Sequence, residues 1–599
     1  MIRLQEWIHK FEVGEGTQVV RGGVAVMALL ALTALYDVRE YKNFSAAEAM
    51  DSAQLARNIS RGKGFTTDFV RPLSLHLVEK RQTEIKQRSA DLSMLKAGHP
   101  DLANPPAYPL ILAGLMKVLP FDYEIPKGVF FERYQPELLI AIFNQALFFV
   151  SILLVFLLAR RLFDASVAWV SAIVLTGSDL FWRFSVSGLS TMLLVAVFLA
   201  LIWCLVFMEQ AIRENTQGGT WFVAMSVLTG ILMGVGALTR YSFGWLILPV
   251  LAFFALFLGT RRVTACVVTF LVFAVVLSPW IVRNYNLSGT PFGTAGYAIF
   301  QETAPYPGER LERSLKPELG DIDLDAYFRK LVVNSGEIFQ NQLPKLGGSW
   351  ITALFLVGLF VPFLSVALHR LRIFLLLSLL VLTVAQAMGK THLSNDSPGI
   401  NSENLLVLLV PLVFAFGVGM YFLLLDNLNL TFPPARHAVT AIVVLLSSGS
   451  LLFTLLPPRT YPSAYPPYLP PLIQRFATWM QPQEMVMSDM PWAVAWYGQR
   501  QSVWTTLNVQ DKRRRDDFYA VNDYLKPVHG LYLTQLSLDG RFFSDMKNGQ
   551  DWVWGRFAMD SLLRTNVPTD FPLQYGRGDY LMYGHLFLTD GPRWQGHSE

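Results

Sequence analysis

The chain has 599 residues, of which 52% are hydrophobic and only 16% charged, and its formal net charge is +4. Soluble domains carry about 25% charged residues, so this composition excludes a disordered chain and a soluble enzyme of this size. The mild charge, with no basic stripe interleaved with aromatics, excludes a nucleic-acid binder, and two cysteines, Cys204 and Cys266, both in apolar runs, cannot build a disulfide framework.

The polar stretch MIRLQEWIHKFEVGEGTQVVRGG leads into a first apolar run over about 22–38. No small-residue cleavage site follows that run, which reads as a retained helix and not a removed signal peptide. A long polar segment, about 39–137, comes next. Within it SAAEAMDSAQLARNISR (45–61) starts on a serine and places acidic residues before basic ones, as a helix does. HLVEKRQTEIKQRSADLSMLKAG (76–98) predicts a charged helix lying on the surface. NPPAYPLILAGLMKVLP holds only about 12 apolar residues, short of the roughly 20 a span requires, and is expected to dip into the outer leaflet.

Ten more apolar runs follow, giving about eleven spans with 22–38: 138–159, 166–182, 187–208, 221–239, 242–260, 263–281, 349–368, 373–389, 404–425 and 438–456. Arg160–Arg161, Arg261–Arg262 and Arg370 with Arg372 fall in alternate loops, which predicts a cytoplasmic N-terminus. The segments 39–137, 282–347 and 457–599 then share the outer face. LPPRTYPSAYPPYLPPL makes 457–472 a stiff extended linker. Beyond it MVMSD, AVAWYG, QSVWTTL and LYLTQLS alternate strand-like and helix-like patterns, predicting a small α/β domain over 473–599. Its Trp492, Trp496 and Tyr497 are expected to pack a core.

Several motifs exclude cofactors. GDIDLDAYFRKLV alternates Asp321, Asp323 and Asp325, but a calcium loop requires Gly at its sixth place and Glu at its twelfth, and both are missing. An acidic helix start near Ala326 is the simpler reading. No zinc-ligand spacing and no phosphate-cradling glycine loop occurs; GILMGVG suits helix packing. No cofactor is expected, and a divalent cation is left open.

Four stretches, in order, carry a resemblance: AMDSAQLARNISRGKGF around Asp51, NPPAYPLILAG, GALTRYSFGWLILP with SPWIVRNYNLSGTPFGTAG, and SDMPWAVAWYGQRQSVW. Together they resemble the GT-C glycosyltransferases of family 39, the bacterial branch similar to protein O-mannosyltransferases and the lipid A aminoarabinose transferase. The resemblance implies a polytopic α-helical fold in the bacterial inner membrane, with a large first outer loop and a periplasmic C-terminal domain. It implies transfer of a sugar from a polyprenyl-phosphate donor to an acceptor, with an acidic base in that loop. The chain departs from the family in having Asp51–Ser52 for an Asp–Glu pair, and Glu403–Asn404 for an Arg–Tyr pair.

That chemistry requires an activated acceptor and a stabilised leaving phosphate. Asp51 is the expected base, with Glu48 one turn earlier and Asp101 as possible second acids; the plainer roles are helix capping for Asp51 and a turn for Asp101. Arg240 in LTRY and Arg283 in PWIVRN stand where apolar runs meet the outer face, placed to hold the phosphate or to snorkel. Lys96 and His99 are further phosphate candidates. A transporter of similar topology would show ionisable residues at mid-span and symmetric halves, and the run centres are nearly free of charge. A non-catalytic scaffold is the other alternative.

Overall fold

A computed structural model describes residues 15–86, 95, 98–125, 131–321, 323–361, 365–396, 399–428, 433–456, 467–507, 517–538, 554, 571–573, 584–591 and 593. Lys96 and most of the expected linker lie outside them.

The chain is an α-helical membrane bundle. Among the described residues seven helices are long and apolar enough to cross a bilayer: Val20–Arg39, Gln135–Leu162, Thr191–Glu214, Gly219–Thr239, Gly259–Ser288, Val366–Gly389 and Leu405–Asn427. Three bent pairs raise the number to ten. The expected run at 166–182 is Ala165–Thr176 with Asp179–Val186, bent by 55°, and that at 438–456 is Pro434–Ser447 with Gly449–Leu455, bent by 57°. These two bends pack on each other. A Cβ on Gly177 would lie 2.0 Å from Ser448 Oγ, so the close approach requires glycine. The expected span at 349–368 is a helix of only 11 residues, Trp350–Phe360, turned by 106° from Leu324–Gly347 where Gly348 takes φ +63°. The expected run at 242–260 is the shorter apolar segment Tyr241–Phe257.

One end of the bundle gathers the basic doublets. Arg161 bonds Gln210, Arg213 and Arg370 both reach Glu209, and Gly219 lies against Arg261. The opposite end carries the long polar segments. There Ala47–Ser60 is a helix whose N-cap position is Ala46, without a side-chain cap; Ser45 stands one residue too early to serve. Pro72–Lys86 is also a helix, but Leu73, Leu75, Leu77 and Val78 are buried, so it is packed in rather than laid on the surface. Ala107–Val118 is a 12-residue helix as expected, buried along Tyr108, Leu112 and Ala113 and exposed at Leu110 and Val118.

Among the described residues seven short strands complete this end. β1 (Thr66–Thr67) pairs antiparallel with β3 (His99–Pro100). β2 (Phe69–Val70), β4 (Met485–Ser488), β5 (Gln501–Trp504), β6 (Val528–Leu533) and β7 (Leu586–Thr589) form one sheet in the order β2-β5-β4-β6-β7. β2 pairs parallel with β5, Phe69 opposite Ser502 and Val70 opposite Val503. The C-terminal α/β unit thus takes an edge strand from the first polar segment. The last part of the expected linker is helical: Pro470–Ala477 starts on a proline pair, which suits a first helical turn. Trp492, Trp496 and Tyr497 are buried in the core.

Candidate active site

The Ala47–Ser60 helix presents Asp51 past its first turn, against the Ala107–Val118 helix and the Pro491–Tyr497 helix. Asp51 is 1% exposed. Its Oδ2 accepts from Arg71 Nη2 at 2.8 Å and from Asn104 Nδ2 at 2.9 Å, and its Oδ1 accepts from Gln54 Nε2 at 3.0 Å. Among the described residues no helix-end N–H donates to Asp51, so the carboxylate does not cap its helix.

Each partner is fixed from another segment. Arg71 directly follows β2, lies 4.0 Å over the Phe69 ring, and donates Nε to Glu312 Oε2 at 3.2 Å. Burial works against the Arg71 charge, but Asp51 and Glu312 more than restore it, so Arg71 stays protonated. Asn104 opens NPPAYP. Its Nδ2 bridges to Asp101 Oδ1 at 3.2 Å, and its backbone N–H donates to Asp101 Oδ2 at 2.8 Å. Asp101 therefore is a turn residue, and it also brings a second buried carboxyl beside Asp51. Burial, and then the Asp51 charge, push Asp101 up to about 6.

The basic candidates take distinct roles. Arg283 donates Nη1 to the Asp101 carbonyl at 2.9 Å and to Asn284 Oδ1 at 2.8 Å, and Nη2 to the Phe65 carbonyl at 3.4 Å. Its guanidinium stacks on Trp280 and Phe65, so it does not snorkel. Arg240 ends the Gly219–Thr239 helix and donates Nη1 to the Ser402 carbonyl. Tyr241 links the two neighbourhoods, its hydroxyl accepting from Trp280 Nε1 at 2.7 Å and from Asn284 Nδ2 at 3.3 Å. His99 is 1% exposed, and its Nε2 meets Ser74 Oγ at 2.7 Å. Burial and the Arg71 charge push it down to about 3, so it is neutral and offers a phosphate no charge. Glu403 accepts from Thr391 N at 2.9 Å and from Thr391 Oγ1 at 2.7 Å. Burial and the Glu48 charge push Glu403 up to about 7. Among the described residues no group of three His, Cys, Asp or Glu is placed to hold a metal ion.

The structure thus unites Asp51, Asp101 and Arg283, and it adds Arg71, Asn104 and Glu312, which sequence reading passed over. Arg71 sits in FVRPLS with no local pattern to mark it. Asn104 belongs to a stretch read only for its apolar length and its family resemblance.

Residues 133–282 match the family described as dolichyl-phosphate-mannose-protein mannosyltransferase, a stretch that begins after Asp51 and Asp101. No curated protein matches by sequence. Among solved structures, ArnT from Cupriavidus metallidurans bound to undecaprenyl phosphate superposes with a TM-score of 0.52 at 12% identity, over 97% of this chain and 100% of that one. The chain has the GT-C fold. It also superposes on the oligosaccharyltransferase of Archaeoglobus fulgidus in complex with zinc and sulfate. That match has a TM-score of 0.52 at 12% identity, covering 88% of this chain and 70% of that one.

Proposed function

We propose that this GT-C protein is a membrane glycosyltransferase that moves a sugar from a polyprenyl-phosphate donor to an acceptor. The reaction takes place at the periplasmic face of the bacterial inner membrane, with the N-terminus cytoplasmic and Asp51 as base. The single observation that carries this reading is the buried Asp51 carboxylate beside Asp101, held by Arg71 and Asn104 at the end of a GT-C bundle. The undecaprenyl phosphate bound by the ArnT neighbour supports the class of donor. The basic doublets gathered at the far end support the orientation.

In the proposed step the acceptor O–H gives its proton to Asp51 while its oxygen bonds to the anomeric carbon. The bond from that carbon to the phosphate oxygen breaks, and polyprenyl phosphate leaves with the electron pair. Oδ1, with one donor against two on Oδ2, is the oxygen with room for the incoming proton. Arg240 suits the leaving phosphate best, since Arg283 is spent on carbonyls and His99 is neutral. The family's second acid, absent at Ser52, is supplied by Asp101 from another segment.

The test is transfer in nanodiscs from a panel of short-chain polyprenyl-phosphate sugars. The parent should release polyprenyl phosphate from at least one member, and Asp51→Asn should not. Binding of bare polyprenyl phosphate by neither protein would defeat the reading.

A further inference from the structure

Glu48 precedes Asp51 by three residues on one helix face, about 4.5 Å along the axis. Its Oε2 is buried and has no partner among the described residues. Ser402 is 1% exposed, and its Oγ is equally without a partner there. Arg240 joins them: it donates to the Ser402 carbonyl, and its charge, like that of Glu48, acts on Glu403. Glu403 also walls a small cleft lined by Asn334, Gln342, Gln386, Lys390 and Asn401.

A buried acceptor with no donor loses its hydration without recompense, so such atoms persist where a ligand or water completes them. The chemistry of the lining selects the ligand. A lipid chain brings no donors. A phosphate, which Arg240 can take, brings no donor to Glu48 Oε2 either. A flat base would stack on aromatic rings, and the cleft lining includes none. A sugar ring carries several hydroxyls, each donor and acceptor, which match carboxylates, amides and a serine hydroxyl together.

We propose that Glu48, Glu403 and Ser402 form a subsite that binds the hydroxyls of the donor's sugar, one helical turn from Asp51, with Arg240 at its edge left for the phosphate. The assignment rests on the glycosyltransferase reading. It places the anomeric carbon toward Asp51 and the far hydroxyls toward the Glu403 cleft. The Glu403–Asn404 departure from the family's Arg–Tyr pair then becomes a determinant of sugar choice.

The test uses full-length protein in nanodiscs without acceptor. It is titrated with bare short-chain polyprenyl phosphate and with the same lipid phosphate carrying a hexose, an N-acetylhexosamine or a pentose. At least one sugar should tighten binding by the parent. Glu48→Gln and Glu403→Gln should each weaken that sugar-lipid by about tenfold and leave the bare lipid phosphate unchanged. Ser402→Ala, which removes one oxygen and no packing, should weaken it by about threefold and guards against a folding defect in the glutamate variants. Glutamine variants that bind the sugar-lipid like the parent overturn the subsite. No gain from any sugar in a parent that binds the bare lipid phosphate overturns the subsite alone. A parent that binds no lipid phosphate overturns the glycosyltransferase reading and the subsite with it.

Discussion

At the end of the bundle that carries the basic doublets, Arg213 and Arg370 share Glu209, and their side chains are 42% and 24% exposed. At the other end Arg71, 12% exposed, holds Asp51 at 1%. The Arg213–Glu209 pair is an i,i+4 contact within one helix, and such pairs at a rim add only a few tenths of a kcal/mol. The second assembly draws Asp51, Arg71, Asp101 and Arg283 from separate segments into a buried place. Taking charges out of water costs several kcal/mol per ion, and well-packed apolar residues in their stead are often neutral or stabilising. Charges at the first end organise the helix ends. Those at the second are held against a desolvation cost that packing alone gives no reason to accept, as at a reacting centre.

The comparison can be broken by substitution, and Asp51→Asn should have the largest effect. Loss of a general base lowers transfer by about 10²–10⁴-fold, while Asn retains the size of the side chain. Parent-like turnover, measured where chemistry is limiting, would leave Asp51 as a structural partner of Arg71. Next comes Arg71→Ala, which strands a buried carboxylate and should destabilise the protein by about 3–5 kcal/mol in thermal or denaturant unfolding. An unchanged midpoint would show that Asp51 is solvated in solution. Arg240→Ala is expected to weaken lipid-phosphate binding by about tenfold, with Arg240→Lys only a partial rescue because Lys lacks the planar fork. Equal affinities for all three proteins would return Arg240 to the role of a helix end.

A pH titration sharpens the same contrast. The folded protein holds the Asp101 proton up to about 6, against an ordinary value of 3.8. Between these values the unfolded chain binds fewer protons than the native one, so this group's contribution to stability is complete below about 4 and declines as pH rises to about 6. Asp101→Asn should abolish that decline in unfolding curves, and a slope identical to the parent's would assign it elsewhere. Arg370→Ala at the first end should cost least, under about 1 kcal/mol, since Arg213 still pairs with Glu209. A loss as large as that of Arg71→Ala would erase the distinction between the two ends.

Apolar run length made most of the bundle legible, because a span is a local property of about 20 residues. It failed where helices bend. The turn at Gly348 and the Gly177–Ser448 approach depend on a neighbouring helix, which periodicity in one segment does not reveal. Asp51 stood out by its place in a motif and Arg283 by its place at a span end. Arg71, Asn104 and Glu312 did not, since each acquires its meaning from a partner in another segment. The sheet near the C-terminus was legible as alternating strands and helices. Its fifth strand was not, being two residues, Phe69 and Val70, in a stretch with no strand pattern of its own.

That two-residue strand sets an order of events during synthesis. Phe69 and Val70 leave the ribosome hundreds of residues before Ser502 and Val503, their partners in the sheet. Contacts so distant in sequence form late, because a long loop must close first. Arg71 is the next residue after β2, so its seat beside Asp51 is completed only when the C-terminal sheet has assembled. A nascent chain therefore has its early spans made before Arg71 is fully seated beside Asp51.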